Sequence, residues 1–291
     1  MRWRKNAKAT RETLAGRLEQ LESRILLAGD LVAHWRASEL KDTVADGAVV
    51  SGWNDNAVGT VATGNGEPVL VHDGIGGRSV VRFSADDGVD FFRVDDAVSP
   101  LKEAQDYSIA VTFRTDSNDL VGGEGNWFAN TGLVDGSQLG FTTDWGVTIN
   151  ADGKISSGLG ESLFAQPKSL YSTQGGFNDG ELHTAVVVRQ SSNLTIYVDA
   201  NNVGSRADVN AQNRSDIVDF VIGAVQTGTN GFTGDIGEVR VYNGALSAEE
   251  ISQLDSDLAS YYDNQMPVAT ADSYTLGEDS FFFSPTSVLA N

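Results

Sequence analysis

The feature that most constrains this chain is a pair of hydrophobic runs separated by a short polar turn. The first run, 181–189, is rich in β-branched residues. The second run, 194–199, places apolar side chains at every other position, at Leu194, Ile196 and Val198. A period of two is typical of a strand with one buried face, and the Ser and Asn residues between the runs favour a turn. The segment therefore predicts an antiparallel β-hairpin.

Similar alternating runs recur at 107–114 and 235–242, and the chain contains 32 Gly and no Cys. Many short strands without regular helical patterning predict an all-β fold, a sandwich of two antiparallel sheets. One helix is predicted after the last strand. There Ser247 at the N-cap and Glu250 three residues later form a capping box, and the apolar face continues to Tyr262.

Three segments within about sixty residues carry a resemblance to a known family. They are DGELH at 179–183, IYVD at 196–199 and FTGDIGEVRVYNGALS at 232–247. Together they resemble the concanavalin A-like, laminin G-like jelly-roll family. The resemblance implies a jelly-roll sandwich that meets carbohydrate or protein ligands with loops at one rim, sometimes with bound Ca²⁺. Gly237 departs from the pattern, because many relatives carry Asp there.

The two ends of the chain differ from the middle. Residues 1–29 are basic, with leucines at helical spacing that predict a short N-terminal helix, and LESRILL at 21–27 resembles the LEPR-XLL signature of large exported bacterial surface proteins. Residues 263–291 resemble the start of a bacterial cadherin-like, immunoglobulin-type repeat. The predicted organisation is an export segment at 1–29, the jelly-roll domain at 30–262, and a linker with a truncated repeat at 263–291. This organisation favours a secreted or cell-surface bacterial protein.

Charge narrows the range of partners. The formal net charge is −20 at pH 7, although residues 1–24 hold seven Arg or Lys against three Glu. A surface this acidic argues against nucleic-acid binding, which requires neutralisation of phosphates. No stretch approaches the ~20 consecutive apolar residues of a membrane-spanning helix, so no transmembrane span is predicted.

The candidate ligand-binding site is the glycine-rich stretch Asp116–Asp144. A long loop on a rigid scaffold is a common place for binding residues. Trp127 is the candidate exposed aromatic that stacks on a sugar, Asn126 and Asn130 are candidate hydrogen-bonding groups, and Asp144 completes the predicted site. Two other tryptophans, Trp35 and Trp53, are predicted to lie in the core.

A calcium site is a weaker expectation. Ca²⁺ takes six to eight oxygen ligands, and Asp199 and Asp235 lie in segments that carry the family resemblance. We therefore name these two carboxylates as candidate metal ligands and Ca²⁺ as the candidate cofactor.

The residues give little support for catalysis. Glycosidases of this fold carry carboxylates two residues apart on one strand face, and the pattern Glu-x-Asp-x-Glu is absent. Asp235 and Glu238 are three apart, which on a regular strand predicts opposite faces. The leading interpretation is a non-catalytic extracellular recognition or adhesion module that binds carbohydrate or a surface glycoconjugate within a larger bacterial surface protein. The alternatives are a structural spacer of an adhesin without a specific ligand and, less favoured, a jelly-roll glycoside hydrolase.

Overall fold

A computed structural model describes residues 29–86, 88–137, 144–160, 168–211, 219–226 and 228–263. The predicted N-terminal helix and export signature lie outside the described residues, as does the predicted cadherin-like repeat beyond residue 263.

The described residues form sixteen strands and one α-helix. In chain order the strands are β1 (Asp30–Arg36), β2 (Gly52–Asn54), β3 (Val61–Asn65), β4 (Val69–Ile75), β5 (Arg78–Phe83), β6 (Phe91–Val94), β7 (Tyr107–Arg114), β8 (Thr131–Asp135), β9 (Trp145–Ile149), β10 (Ile155–Leu159), β11 (Lys168–Tyr171), β12 (Leu182–Gln190), β13 (Asn193–Val198), β14 (Asn201–Arg206), β15 (Phe220–Ile222) and β16 (Gly234–Asn243). The helix α1 spans Ala248–Tyr262.

The strands build two eight-stranded antiparallel sheets. The first sheet has the order β14-β13-β12-β7-β16-β5-β4, and β1 also pairs with β16. The second sheet has the order β11-β10-β9-β8-β15-β6-β3-β2. The all-β, two-sheet sandwich expected from the sequence is thereby confirmed.

The predicted hairpin is strands β12 and β13, with Ala185 opposite Val198 and Gln190 opposite Asn193. One face of the hairpin joins the main core through Ala185, Val187, Leu194, Ile196 and Val198, whereas Val186 and Val188 on the other face join a second buried cluster. Trp35 and Trp53 are fully buried in the main core, as predicted, against Phe220 and Phe92 respectively. Indole rings in this position each remove a large apolar area from water, which is the main stabilising contribution of such a core.

Helix α1 begins as the sequence predicts. The Ser247 hydroxyl accepts a hydrogen bond from the Glu250 backbone N–H at 3.3 Å, and the Glu250 carboxylate accepts one from the Ser247 N–H at 2.6 Å. Its apolar face packs on the outer face of the first sheet, and the two form a second buried cluster. Gly237 makes this close packing possible, because a Cβ there would lie 2.4 Å from the Tyr262 hydroxyl oxygen.

One expectation about β16 is wrong. Asp235 and Glu238 do not point to opposite faces, because a bulge in the pairing with β7 lies between Ile236 and Glu238. Ile236 and Val239 both enter the main core, so the two carboxylates share the outer face of the first sheet. An extra residue in a bulge shifts the alternation by one position, and Gly237 is that residue.

Candidate functional site

A cavity of about 400 Å³ opens at one end of the first sheet, where β5 and β7 end and β12 and β16 begin. Its lining combines charged residues, threonines and glycines with the buried Phe83: Arg82, Phe83, Arg114, Thr115, Asp116, Gly180, Thr233, Gly234 and Asp235. Because these residues come from strand ends and the turns next to them, the sheet holds the cavity in a fixed shape.

A three-residue ion-pair group, Arg82, Arg114 and Asp235, forms one side of this cavity. Arg82 donates from Nε to Asp235 Oδ1 at 2.7 Å and from Nη2 to Oδ2 at 3.1 Å. Arg114 donates from Nη2 to the same Oδ2 at 2.6 Å. The hydrogen bond to Asp235 raises the pKa of Arg82, which keeps its guanidinium charged. Asp235 is almost fully buried, whereas the Arg82 side chain is 50% exposed and that of Arg114 is 31% exposed.

The opposite side is built from backbone and hydroxyl groups. The Thr115 hydroxyl donates to the Thr233 carbonyl at 2.7 Å, and the Gly180 N–H donates to the Thr115 carbonyl at 3.0 Å. Gly234 has a φ of +150°, and a Cβ there would lie 2.5 Å from the Arg114 carbonyl oxygen. Only glycine allows the chain to pass this close to β7. The cavity therefore offers charged and neutral hydrogen-bonding groups, a combination suited to a polar ligand.

The predicted loop residues lie elsewhere. Asp116–Asp144 is not one loop, because it contains a 3-10 turn at Trp127–Ala129 and the strand β8. The exposure expected for Trp127 is wrong, since its side chain is fully buried. Its ring lies on the outer face of the second sheet, where a Cβ at Gly146 or Gly158 would approach within 2.5 or 2.2 Å of the indole. These two glycines leave the flat surface that the ring covers.

The other predicted ligand-binding residues also do not line the cavity. Asn130 is buried and donates from Nδ2 to the Ser156 hydroxyl at 2.8 Å. Asp144 is also buried, whereas Asn126 is partly exposed and precedes the 3-10 turn. Among the described residues of the predicted loop, only Asp116 lines the cavity. A role in ligand binding for the four predicted residues stays a prediction, and burial of the indole removes the stacking surface on which it rested.

The two candidate metal ligands are not brought together. Asp235 lies on β16 and Asp199 follows β13, so two strands, β7 and β12, separate them. At about 4.8 Å per strand the separation is roughly 14 Å, too far for one ion. Both carboxylates are also engaged, Asp235 by two arginines and Asp199 by His183 and the Thr184 N–H. They do not fit a shared calcium site, and no group of three or more potential ligands occurs among the described residues. Calcium binding stays a prediction.

Two buried carboxylates have strongly shifted pKa values, and neither suits acid catalysis. Burial raises the pKa of Asp135 to about 6, against the opposing effect of hydrogen bonds from Ser137 and Gln226. Asp135 is fully buried next to the Trp127 indole, so no ligand reaches it. Burial also acts to raise the pKa of Glu238, but the hydrogen bond from His34 and the charges of Arg240 and Arg36 outweigh it and lower that pKa to about 2. A glycosidase acid must hold its proton near neutral pH.

The imidazole of His183 contacts two carboxylates close to the cavity. His183 at the start of β12 contacts Asp199 Oδ2 through Nδ1 at 2.8 Å and Asp179 Oδ1 through Nε2 at 3.1 Å. Asp179 precedes Gly180, which lines the cavity. Burial acts to lower the pKa of His183, but the hydrogen bonds and charges of Asp199 and Asp179 outweigh it, so the pKa is raised above 6.5.

These contacts predict a pH-dependent stability. A raised folded-state pKa adds stability that is fully present below the unfolded value of about 6.5 and is lost as the pH rises through the folded value. We expect the difference in unfolding midpoint between the wild type and His183→Gln to be larger at pH 6 than at pH 9. Thermal unfolding monitored by circular dichroism at both pH values measures it. An equal difference at the two pH values would contradict a raised pKa of His183 in the fold.

Comparison with known proteins agrees with the observed two-sheet fold. The family model described as the concanavalin A-like lectin/glucanases superfamily matches residues 84–252. No curated protein matches the chain significantly. Among the described residues, the helix is too short and polar to cross a membrane.

Two solved structures illustrate the similarity of fold. Domain 4 of a GH43 extracellular arabinanase from Geobacillus stearothermophilus, in complex with arabinotriose, has a TM-score of 0.57 at 15% identity, over 78% of this chain and 99% of that one. The binding domain of botulinum neurotoxin serotype G has a TM-score of 0.54 at 13% identity, over 81% of this chain and 54% of that one. At these identities the likeness shows the fold. The family model covers more than half of the sequence, from the end of β5 into α1, and the chain belongs to the concanavalin A-like lectin/glucanases superfamily.

Proposed function

We propose that this protein is a non-catalytic carbohydrate-binding module that acts outside the cell as part of a larger bacterial surface protein. The observation that carries the proposal is the cavity at the end of the first sheet, with its fixed hydrogen-bonding groups. The arabinanase domain of similar fold was solved with arabinotriose, which supports a saccharide as the class of ligand. The export-like segment at 1–29 and the cadherin-like start at 263–291 motivate the extracellular setting.

The cavity matches the chemistry of a sugar. Sugar hydroxyls both donate and accept hydrogen bonds, and the lining supplies guanidinium donors, the Asp116 carboxylate and threonine hydroxyls. A volume of about 400 Å³ holds one to two monosaccharide units. Neither Asp135 nor Glu238 combines access to the cavity with a proton to give, which supports recognition rather than hydrolysis.

Filling the cavity tests the proposal without removing a charge. Thr233 lines the cavity and is partly exposed. We expect Thr233→Tyr to abolish glycan binding by the full chain, because the added ring occupies the space of the ligand. The measurement is binding of wild type and variant to an array of neutral and acidic oligosaccharides.

Thr195→Tyr is the matched control, since Thr195 is a partly exposed threonine of strand β13, outside the cavity. It should bind as the wild type does. If the wild type binds no glycan, or if Thr233→Tyr binds as strongly as Thr195→Tyr, the cavity is not a carbohydrate site and the spacer alternative gains.

A further inference from the structure

Two guanidinium groups are held side by side in the cavity by one carboxylate oxygen. Arg82 Nη2 and Arg114 Nη2 both donate to Asp235 Oδ2, at 3.1 and 2.6 Å. The two nitrogens are therefore no farther apart than these two hydrogen bonds laid end to end. Strands β5, β16 and β7 are neighbours in the first sheet, so the sheet fixes all three side chains at their bases.

Neither arginine is fully used by this contact. Within the part of the chain that the structure describes, Arg82 makes side-chain hydrogen bonds only through Nε and Nη2, and Arg114 only through Nη2. Each guanidinium has five N–H donors in a planar fork. Nη1 of Arg82 and both Nε and Nη1 of Arg114 thus keep donors for a ligand.

The local charge also favours an anion. Two guanidinium groups face one buried carboxylate, so the ion-pair group carries one excess positive charge, which the exposed Asp116 balances over the whole lining. Asp235 is shielded by its two partners, so the groups that a ligand meets on this side are cationic. Planar forks of this kind match the two oxygens of a carboxylate in spacing and direction.

We infer that the cavity selects a carboxylate-bearing sugar, a uronic acid or a related acidic residue, whose carboxylate accepts hydrogen bonds from Arg82 and Arg114. Asp235 is a positioning residue that orients both arginines without touching the ligand. Asp116, on the same lining, accepts from sugar hydroxyls and limits the affinity for anions by repulsion. This inference rests on the proposed function.

The test compares charge variants on matched ligands. The full chain is measured on an array of uronic-acid, neutral and sulfated oligosaccharides of equal length, with free glucuronate and galacturonate as competitors. We expect the wild type to prefer the uronic-acid ligands. Arg82→Gln and Arg114→Gln should each weaken that binding about tenfold to a hundredfold, as for the loss of one charge-assisted hydrogen bond, and weaken binding of neutral ligands by much less.

The design keeps folding and charge under control. In either variant Asp235 retains one arginine, so no buried carboxylate is left unpaired. Arg206→Gln is the matched control, because Arg206 is on the edge strand β14, pairs with Asp208 and has an exposure similar to that of Arg114. Asp116→Asn should strengthen binding of uronic-acid ligands several-fold by removing a repulsion.

The outcomes separate this inference from the proposed function. If the wild type binds neutral and uronic-acid ligands equally well, and Arg82→Gln weakens both equally, the selection of acidic sugars is overturned. The proposed glycan binding still stands in that case. Preference for sulfated ligands over uronic acids would overturn the assignment of a carboxylate. If Thr233→Tyr loses all glycan binding but both arginine variants bind uronic-acid ligands as the wild type does, the sugar lies in the cavity. Its carboxylate then does not bind Arg82 and Arg114, and the inference is overturned.

Discussion

Replacing Trp127 by Ala is expected to destabilise the fold by about 3–5 kcal/mol, the usual cost of removing a large buried aromatic ring. For a domain of this size such a loss lowers the unfolding midpoint by roughly 6–20 °C. The indole is fully buried against Gly146 and Gly158 of the second sheet. The backbone carbonyl of Trp127 accepts a hydrogen bond from the Thr148 hydroxyl at 3.1 Å. A cavity of indole size cannot close there, because the sheet beneath it is rigid.

The neighbouring residue gives the control. Phe128 is 39% exposed, although its ring lies 5.1 Å from that of Trp127. Phe128→Ala should cost under about 1 kcal/mol, as surface substitutions usually do. Urea unfolding of both variants measures the difference. Near-equal midpoints for Trp127→Ala and the wild type, combined with lost glycan binding, would mean that the indole faces solvent and meets the ligand.

Replacing Glu238 by Ala in the wild-type chain is expected to lower the free energy of unfolding by about 3–5 kcal/mol. The Glu238 side chain is 1% exposed and lies within 2.5 Å of His34 Nε2, 3.0 Å of Arg36 Nε and 3.2 Å of Arg240 Nη2. Its removal leaves the guanidinium of Arg240 largely buried without its carboxylate. The cost is that of an unpaired charge in a poorly solvated place, not the strength of any one ion pair.

The same group predicts how stability changes with acid. The pKa of Glu238 is lowered from 4.5 to about 2 in the fold. Its contribution is therefore complete above pH 4.5 and is lost as the pH falls towards 2, by roughly 3 kcal/mol in total. Unfolding free energies of the wild type and Glu238→Ala at pH 7 and pH 3 should converge in acid. Asp208→Ala, which removes an exposed carboxylate paired with Lys168 and Arg206, is the control and should change little. Curves that stay parallel down to pH 2 would contradict the low pKa.

Sequence reasoning succeeded where the signal is local. The β-branched residues of β12, the alternation over β13, and the capping box at Ser247 and Glu250 are each set by residues close together in the sequence. These patterns are nearly independent of what packs against them, so the hairpin and the start of α1 are as predicted. The two core tryptophans followed from size, since a large apolar side chain is most often buried.

The candidate site could not be found this way. Arg82 and Arg114 meet Asp235 across sequence separations of 153 and 121 residues, and nothing near any of them announces the contact. The bulge at Gly237 reversed the inferred direction of Glu238, because one extra residue changes the face of everything after it. Trp127 was misplaced for a similar reason. Its glycine-rich surroundings resemble a mobile loop, whereas the glycines that decide its position, Gly146 and Gly158, lie on two later strands.

The pairing of β1 with β16 has a consequence for how the chain acquires its structure. Asp30 lies opposite Asn243. The strand that pairs with β1 is therefore synthesised only about 200 residues after it. Contacts this distant along the chain form slowly, because a long loop must close before they add any stability. During that interval β1 exposes unpaired backbone N–H and C=O groups, which can pair with another chain. Early in biogenesis this domain therefore benefits from being kept apart from its own copies.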